Sequence, residues 1–251
     1  MKISVITVSY NAEQTIEATL RSVVNQEYSN VEHILVDGAS SDRTIDRIEQ
    51  YKRLNFRWIS EPDDGIYHAM NKGLAMATGD VIGFLNADDV FADSEVLATV
   101  AGVFGNSGVD ACYADLVYVR KDNPHKVVRY FSSGSFSPAR LAFGQMPAHP
   151  TFYLRREYFA KYGGFKTDYD IAADYELVTR MFTKFAINAV YVPQVWVKMN
   201  MGGVSTRSWR SNIILNREIL RACRENFVST NMFKIYSKYP VKLLQMIRRP
   251  L

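Results

Sequence analysis

Residues 80–89 read Asp-Val-Ile-Gly-Phe-Leu-Asn-Ala-Asp-Asp. An apolar run, Val81 to Leu85, passes abruptly into polar and acidic residues. A short, unbroken apolar run reads as a strand buried on both faces, and such strands belong to parallel sheets covered by helices. Carboxylates at the end of a buried strand are costly unless something positive compensates them. In open α/β sheets the carboxyl ends of the strands are where ligands bind. Asp88 and Asp89 therefore read as the seat of Mg²⁺ or Mn²⁺ carrying a phosphate-rich substrate, since hard cations prefer carboxylate oxygens. The structural alternative is a capping cluster for a helix running from Asp93 to about Phe104, for which Asp93 is the better placed residue.

The flanking sequence repeats the strand–helix alternation. Residues 3–8 are β-branched and apolar and predict a first strand. Asn11 is positioned to cap the next helix, with Gln14 in the capping-box position and an end near Gln26. Residues 31–36 predict a second strand ending at Asp37-Gly38. A helix from Ser41 or Asp42 carries Ile45, Ile48 and Tyr51 on one stripe. Residues 55–59 predict a third strand, 67–77 a short helix and 80–85 a fourth strand. The result is an α/β fold with a mostly parallel sheet. Beyond residue 108 the pattern loosens. Strands are expected over 109–119 and 126–131, around a turn at Asp122-Asn123-Pro124, and then over 151–154, 187–192 and 195–199. Helices are expected over 155–161, 174–185, 208–226 and 231–247.

The chain of 251 residues, 47% of them hydrophobic, can bury a sizeable core. No apolar run approaches the ~20 residues that cross a bilayer, and the strand-like start does not resemble a signal peptide. The two cysteines, Cys112 and Cys223, lack metal-ligand spacing and read as reduced. A cytoplasmic protein is the expectation. The net charge of +4 is uneven: residues 205–251 hold ten Lys or Arg and two Glu, a net +8, which leaves residues 1–204 at −4.

The first strand is followed by neither G-x-G-x-x-G nor G-x-x-x-x-G-K-[ST], so a dinucleotide dehydrogenase and a P-loop enzyme are poorly supported. Asp37 can accept hydrogen bonds from a base imide or a ribose hydroxyl; equally, Asp37-Gly38-Ala39-Ser40 reads as a turn and a cap. Residues 61–73 form a polar stretch entering a helix, with Asp64-Gly65 as the turn. There Asn71 can bond a ribose or sugar and Lys72 can approach a phosphate, or both, like His68, are ordinary surface residues. Asp174 lies in the first turn of a strongly amphipathic helix, where the positive helix end favours the ionised carboxylate. It is a candidate to deprotonate a hydroxyl or simply a cap, with Asp168 and Asp170 as nearby alternatives. His149, between Pro147 and Pro150, sits in a stiff loop that can position a side chain. Asp64 and His149 are the further candidates, on the acceptor side.

Taken together these runs resemble the family 2 glycosyltransferases of the GT-A fold. The matching stretches are Ser4–Asn11, Val36–Asp42, Asp64–Gly73, Ala77–Asp80, Phe84–Asp89, His149–Phe152 and Ala173–Leu177. The resemblance implies one Rossmann-like nucleotide-binding sheet, continuous with an acceptor-binding half and followed by a helical C-terminal tail. The implied division is 1–204, with a nucleotide-sugar half over 1–105 and an acceptor half over 106–204, then basic amphipathic helices over 205–251. It implies transfer of a sugar from a nucleotide donor, a UDP-sugar, with inversion. Asp37 would contact the nucleoside and Asp174 would be the general base. The D-x-D signature falls on Asn86-Ala87-Asp88, so Asn86 stands at the first acidic position, Asp88 becomes the main metal ligand and Asp89 a helper. Ala173 replaces the glutamate that many relatives carry before the base.

In the tail, Lys234, Lys238 and Lys242 are spaced by four among Met232, Phe233, Tyr236, Tyr239, Leu243, Leu244 and Ile247, as on an interfacial helix. A lipid-linked glycan acceptor and the inner leaflet are the partners this suggests; nucleic acid is not expected. The alternative is that the apolar face packs on the domain or on a second subunit in a homodimer. The Gln-x-x-Arg-Trp signature of processive relatives is missing, with Thr206-Arg207-Ser208-Trp209 only an echo, so addition of a single sugar is expected. Two rival classes remain. A nucleotidyltransferase calls for a Gly-rich, Arg-containing loop after strand one, unlike Ser9-Tyr10-Asn11-Ala12. A non-catalytic sugar-nucleotide or membrane-binding module has no need of Asp174 as a base.

Overall fold

All seven residues of Ile3–Ser9 (β1) are buried, which is why its sequence shows no polar alternation. In the computed structural model, which describes residues 1–51, 56–120, 123–200 and 209–239, β1 lies between Val31–Asp37 (β2) and Val81–Phe84 (β4) and runs parallel to both. Phe56–Ser60 (β3) extends the parallel part beyond β2. On the other side Tyr153–Arg155 (β8) is antiparallel to β4. The sheet continues through Ala111–Arg120 (β6) and Ala189–Asn200 (β9) to Asp89–Phe91 (β5) at the far edge, while Asn123–Phe131 (β7) pairs with β6. The architecture is a mixed α/β sheet flanked by helices.

Alternate residues of the central strands feed three cores, the smallest formed by Leu35 of β2 with Ile16, Leu20, Ile48 and Ala87. Ile6, Val8, Ile34, Val36, Ile82 and Phe84 pack beneath Ile66–Met76 (α3), Ala173–Lys184 (α6) and Trp209–Glu225 (α7). Ile3, Val5, Val81 and Leu85 pack on the opposite side with Val96–Phe104 (α4) and Trp196. Close approach is enforced by small residues. A Cβ at Gly73 of α3 would lie 2.4 Å from Ile6 Cγ2, and one at Gly83 of β4 would lie 2.2 Å from Tyr153 Cε1. At the opposite end of β1, the carboxylate of Glu32 ties three segments together. It accepts from Ser4 Oγ, Thr78 N–H, Thr78 Oγ1 and Lys2 Nζ. Burial alone would raise its pKa, but these donors hold it at about 2.

Several local expectations give way to tertiary contacts. Asn11 does not cap the first helix. It sits in the left-handed region at φ +49, its N–H donates to Ser40 Oγ, and its Oδ1 accepts from Ser41 N–H. Asparagine tolerates that conformation, so it pins two loops together, and Ile16–Val24 (α1) starts five residues later. Asp93 is likewise outside its helix: its Oδ1 accepts from Glu95 N–H, and α4 begins at Val96. The two strands expected over 187–192 and 195–199 are one strand, β9, which begins at Ala189 and whose pairing with β6 shifts register beside Asp115. The three-residue strand β5 had no sequence signal of its own and exists through its pairing with β9. The remaining helices are Thr44–Glu49 (α2), Arg156–Tyr162 (α5) and Met232–Tyr236 (α8). Much of the expected 231–247 helix, together with Lys242 to Ile247 and the Thr206–Ser208 echo, lies outside the described residues. Within them, Lys238 is 3% exposed rather than on an outward lysine stripe. It is turned toward Gly144, because Ile235 of α8 packs inward against α7 and the 138–143 turn.

Because the Tyr153 ring is itself buried and set edge-on to Trp196, it has nowhere to retreat. Gly83→Ala should therefore lower the unfolding free energy by about 1–3 kcal/mol, the usual range for overpacking, measured by urea denaturation. An unchanged midpoint would show that the Gly83–Tyr153 contact is not a constraint.

Candidate functional site

At the end of β4 the chain turns through Asn86, whose carbonyl accepts from Asp89 N–H, into β5. Two distant residues pin this turn. Asn200 Nδ2 donates to the Asp88 carbonyl at 2.9 Å, and Thr19 Oγ1 donates to the Asp89 carbonyl at 2.8 Å. The side chain of Asp88 is half-buried, whereas Asp89 is sealed. Neither Asp89 carboxylate oxygen accepts a hydrogen bond, and the buried Asn86 Oδ1 has none either. Burial, then the charge of Asp88, drive the Asp89 carboxyl far above its ordinary range, with the Asn86 side chain acting in the opposite direction. Among the described residues no group of three or more His, Cys, Asp or Glu is gathered for a metal ion. The donor set nonetheless suits a cation that takes one or two carboxylates and completes its shell with substrate phosphates. Buried oxygens without donors are what such a cation would satisfy.

The ends of β2 and β3 present a contrasting carboxylate. Asp37 is fully buried and saturated. Its Oδ1 accepts from Ser9 Oγ and Ser40 Oγ, and its Oδ2 from Ser40 N–H and Ser60 Oγ. It thereby binds the tips of β1, β2 and β3 into one edge, at the place where the sequence expects a nucleoside. Ala39 beside it holds a left-handed φ of +59.

The 61–73 segment is also self-engaged. Lys72 Nζ reaches Glu61 Oε1 and the Pro62 carbonyl, both at 2.8 Å, bracing the loop that enters α3. Asn71 makes a reciprocal pair with the Phe165 backbone: its Nδ2 donates to the carbonyl at 2.8 Å and its Oδ1 accepts the N–H at 2.9 Å. Its task of holding the 164–165 loop was not legible in the sequence, because the partner lies 94 residues away. Asp64 is 96% exposed, with its N–H donating to His68 Nδ1.

Asp174 is the second residue of α6 and its side chain remains half-buried. Burial raises its carboxyl, His149 and the Tyr175 N–H act to lower it, and the Glu218 carboxylate pushes it up again, for a net rise. His149 lies over Phe84, the last residue of β4, with ring centroids 5.8 Å apart and planes 23° apart. It meets Phe165 edge-on at 5.9 Å. Burial lowers the His149 pKa despite the opposing effect of Asp174, which favours the neutral imidazole. The His149 ring thus stacks on the end of β4, and Asp174 is near enough for the two groups to act on each other's charge. Two residues hold the approach to α6. The Tyr67 hydroxyl donates to the Ile171 carbonyl. Glu218 of α7 accepts the N–H groups of Asp170, Ile171 and Ala172 at 2.6, 2.9 and 2.8 Å. Asp170 thereby contributes its backbone, and Asp168 pairs with Arg221. Neither Glu218 nor Tyr67 carried a sequence signal for this role.

The chain matches the model of Glycosyl transferase family 2 over residues 4–187. A PGL/p-HBAD biosynthesis glycosyltransferase of Mycobacterium bovis (strain BCG / Pasteur 1173P2) is 31% identical over 223 residues, covering 87% of this chain and 82% of that protein. An uncharacterized glycosyltransferase of Mycobacterium tuberculosis (strain ATCC 25618 / H37Rv) is 33% identical over 180 residues, 71% of this chain and 68% of that one. Among solved structures, residues 1–349 of S. aureus TarS with UDP-GlcNAc superpose with a TM-score of 0.70 at 19% identity, covering 88% of this chain and 66% of that one. This chain therefore spans just under two thirds of that TarS fragment. Mannosyltransferase PcManGT from Pyrobaculum calidifontis, in complex with GDP-Man and Mn²⁺, gives 0.68 at 20% identity, covering 98% and 73%. At these identities the structural likenesses speak to the fold, which is GT-A.

The negative charge of Glu218 raises the Asp174 pKa. Glu218→Gln should therefore move the Asp174 titration to lower pH, followed by carboxyl NMR. It should also destabilise the protein by about 1–3 kcal/mol, since charge-assisted bonds to backbone N–H groups are lost. An unmoved Asp174 titration would show that Glu218 does not act on it.

Proposed function

The chain belongs to glycosyl transferase family 2, and on that premise we propose that it moves one sugar from a nucleoside-diphosphate sugar, a UDP-sugar, to a hydroxyl of a lipid-linked glycan acceptor in cell-surface polysaccharide assembly, with inversion. The observation that carries this reading is His149, whose ring stacks on Phe84 at the end of β4 and whose charge is coupled to that of Asp174. It links a carboxylate able to take a proton to the strand edge suited to a diphosphate.

In this reading residues 1–105 bind the donor and 106–204 the acceptor. The acceptor hydroxyl attacks the anomeric carbon as Asp174 takes its proton, and the bond from that carbon to the diphosphate oxygen breaks with its electron pair leaving on the nucleoside diphosphate. One displacement with no covalent intermediate inverts the centre. A carboxyl raised toward neutrality is a better match to this proton transfer than an ordinary aspartate. Asp88, backed by Asp89 and Asn86, would hold Mg²⁺ or Mn²⁺, which when bound neutralises charge on the leaving diphosphate. Asp37, Asn71 and Lys72 support the donor side by fixing the loops that line it, and His149 holds the acceptor side against Phe84.

Among the described residues no helix is long and apolar enough to cross a membrane. Contact with an anionic leaflet is supported instead by Phe227 and Phe233, each 89% exposed. Lys184 lies over the Phe227 ring and Lys234 over that of Phe143. Protruding aromatics amid cations suit the lipid interface.

Asp174→Asn should lower kcat by about 10²–10⁴, the usual weight of a general base, while donor affinity by calorimetry stays that of the wild type. In the wild type, kcat/KM should fall as pH drops through the raised Asp174 pKa, above the ordinary aspartate range. Loss of donor binding together with turnover would make Asp174 structural and sink the assignment.

A further inference from the structure

We propose that Asp63 reads the nucleobase of the donor and selects bases that present a ring N–H, namely uracil, thymine or guanine. This rests on the reading of the sheet edge as a nucleotide-sugar site, and goes beyond it to a residue and a base class.

The first argument is placement. If the diphosphate lies at the end of β4, the nucleoside extends along the edge over β1 toward β2, in the order β4-β1-β2-β3. Two interstrand steps of about 4.8 Å bring it about 10 Å along, to Asp37 and Gly38. The carboxylate the sequence offers there is Asp37, but it is buried and already accepts four hydrogen bonds from Ser9, Ser40 and Ser60. It has no lone pair directed to a ligand without dismantling the edge it holds together.

The second argument is what stands over that edge. A Cβ built on Gly38 would fall 2.6 Å from Asp63 Oδ2 and 3.5 Å from Tyr10 Cδ2. The absence of a side chain at Gly38 is therefore what admits the Asp63 carboxylate to the tip of β2. Asp63 is oriented from one side only: its Oδ1 accepts from Gly65 N–H at 2.9 Å. Its Oδ2, the oxygen over Gly38, accepts none from the described residues. The Tyr10 ring beside it is 68% exposed and offers a flat face for stacking a base. The lip is stiff: Asn11 and Ala39 both hold left-handed backbone, and Asn11 bonds across to Ser40 and Ser41. Strained residues over-determined in this way mark functional edges.

The chemistry then selects. An ionised carboxylate only accepts hydrogen bonds. Uracil and thymine present N3–H, and guanine presents N1–H with its exocyclic amine. Cytosine and adenine present a ring lone pair at the corresponding position, which repels the carboxylate. Sites built on a required N–H discriminate strongly against analogues that lack it.

The test is calorimetric binding of UDP, TDP, GDP, CDP and ADP to the full chain with Mg²⁺. The wild type should bind at least one of the first three about tenfold or more tighter than CDP and ADP. Asp63→Ala should remove that preference by weakening the favoured nucleotide alone. Gly38→Ala, which leaves Asp63 in place but pushes its carboxylate aside, should act in the same direction and covers the case of a poorly folded Asp63 variant. A wild-type preference that survives in both variants, or a wild type that prefers CDP or ADP, would overturn the proposal while leaving the donor site standing. A wild type that binds none of the five would overturn the donor reading and this inference with it.

Discussion

Burying a carboxylate is expensive unless donors or a cation meet it, and this fold buries several, wholly or in part, at strand ends and at the start of α6. Each is handled differently. Asp37 is neutralised in effect by four donors and becomes a fastener for β1, β2 and β3. Asp89 receives none at either oxygen, which leaves it dependent on a cation or a proton. Asp174 keeps a path to solvent while its surroundings hold its pKa up. A saturated fastener, a sealed carboxylate without donors and a half-buried acid with a raised pKa thus emerge from one residue type through its neighbours.

The second half of the chain exists, in structural terms, to return to that edge. Arg180 binds the carbonyls of Gly163 and Gly164 while pairing with the fully buried Glu176. Lys166 bridges Glu176 and Glu225, and Arg221 joins Glu225 to Asp168. This network grips the 163–168 loop, from which Phe165 reaches Asn71, Phe84 and His149. Removing one partner of the buried Glu176–Arg180 pair is far more damaging than the pair itself is stabilising. With Glu218 and Tyr67 fixing residues 170–172, the start of α6 is tied to both halves of the molecule. Helix α7, which the sequence assigns to the basic amphipathic C-terminal helices, therefore helps to hold the start of α6.

What could be read from sequence and what could not divide along a physical line. Apolar strands and amphipathic helices declare themselves through periodicity, so the strands β1 to β4, their mostly parallel sheet and the position of Asp88 after β4 were legible, whereas their order was not. Asp174 was legible because it opens a periodic helix. Features decided by distant partners were not. Strand β5 depends on β9, some 108 residues onward. Asn11 prefers a bond to Ser40 over capping its own helix, and Lys238 is turned inward by the packing of Ile235. Asp63 and Asp64 are adjacent and alike in sequence, and only the fold shows that Asp63 stands over Gly38 while Asp64 faces solvent. The direction in which a loop side chain points carries no sequence period.

The central claim is that one edge holds the diphosphate at the end of β4 and the proton acceptor at the start of α6 on either side of one anomeric carbon. A crystal structure with an intact nucleoside-diphosphate sugar and Mn²⁺ tests it most directly. The account predicts the diphosphate and cation at Asp88, with the anomeric carbon facing the Asp174 carboxylate across a space open to an acceptor hydroxyl. A donor whose anomeric carbon is turned away from Asp174, or whose diphosphate lies off the β4 edge, would contradict it.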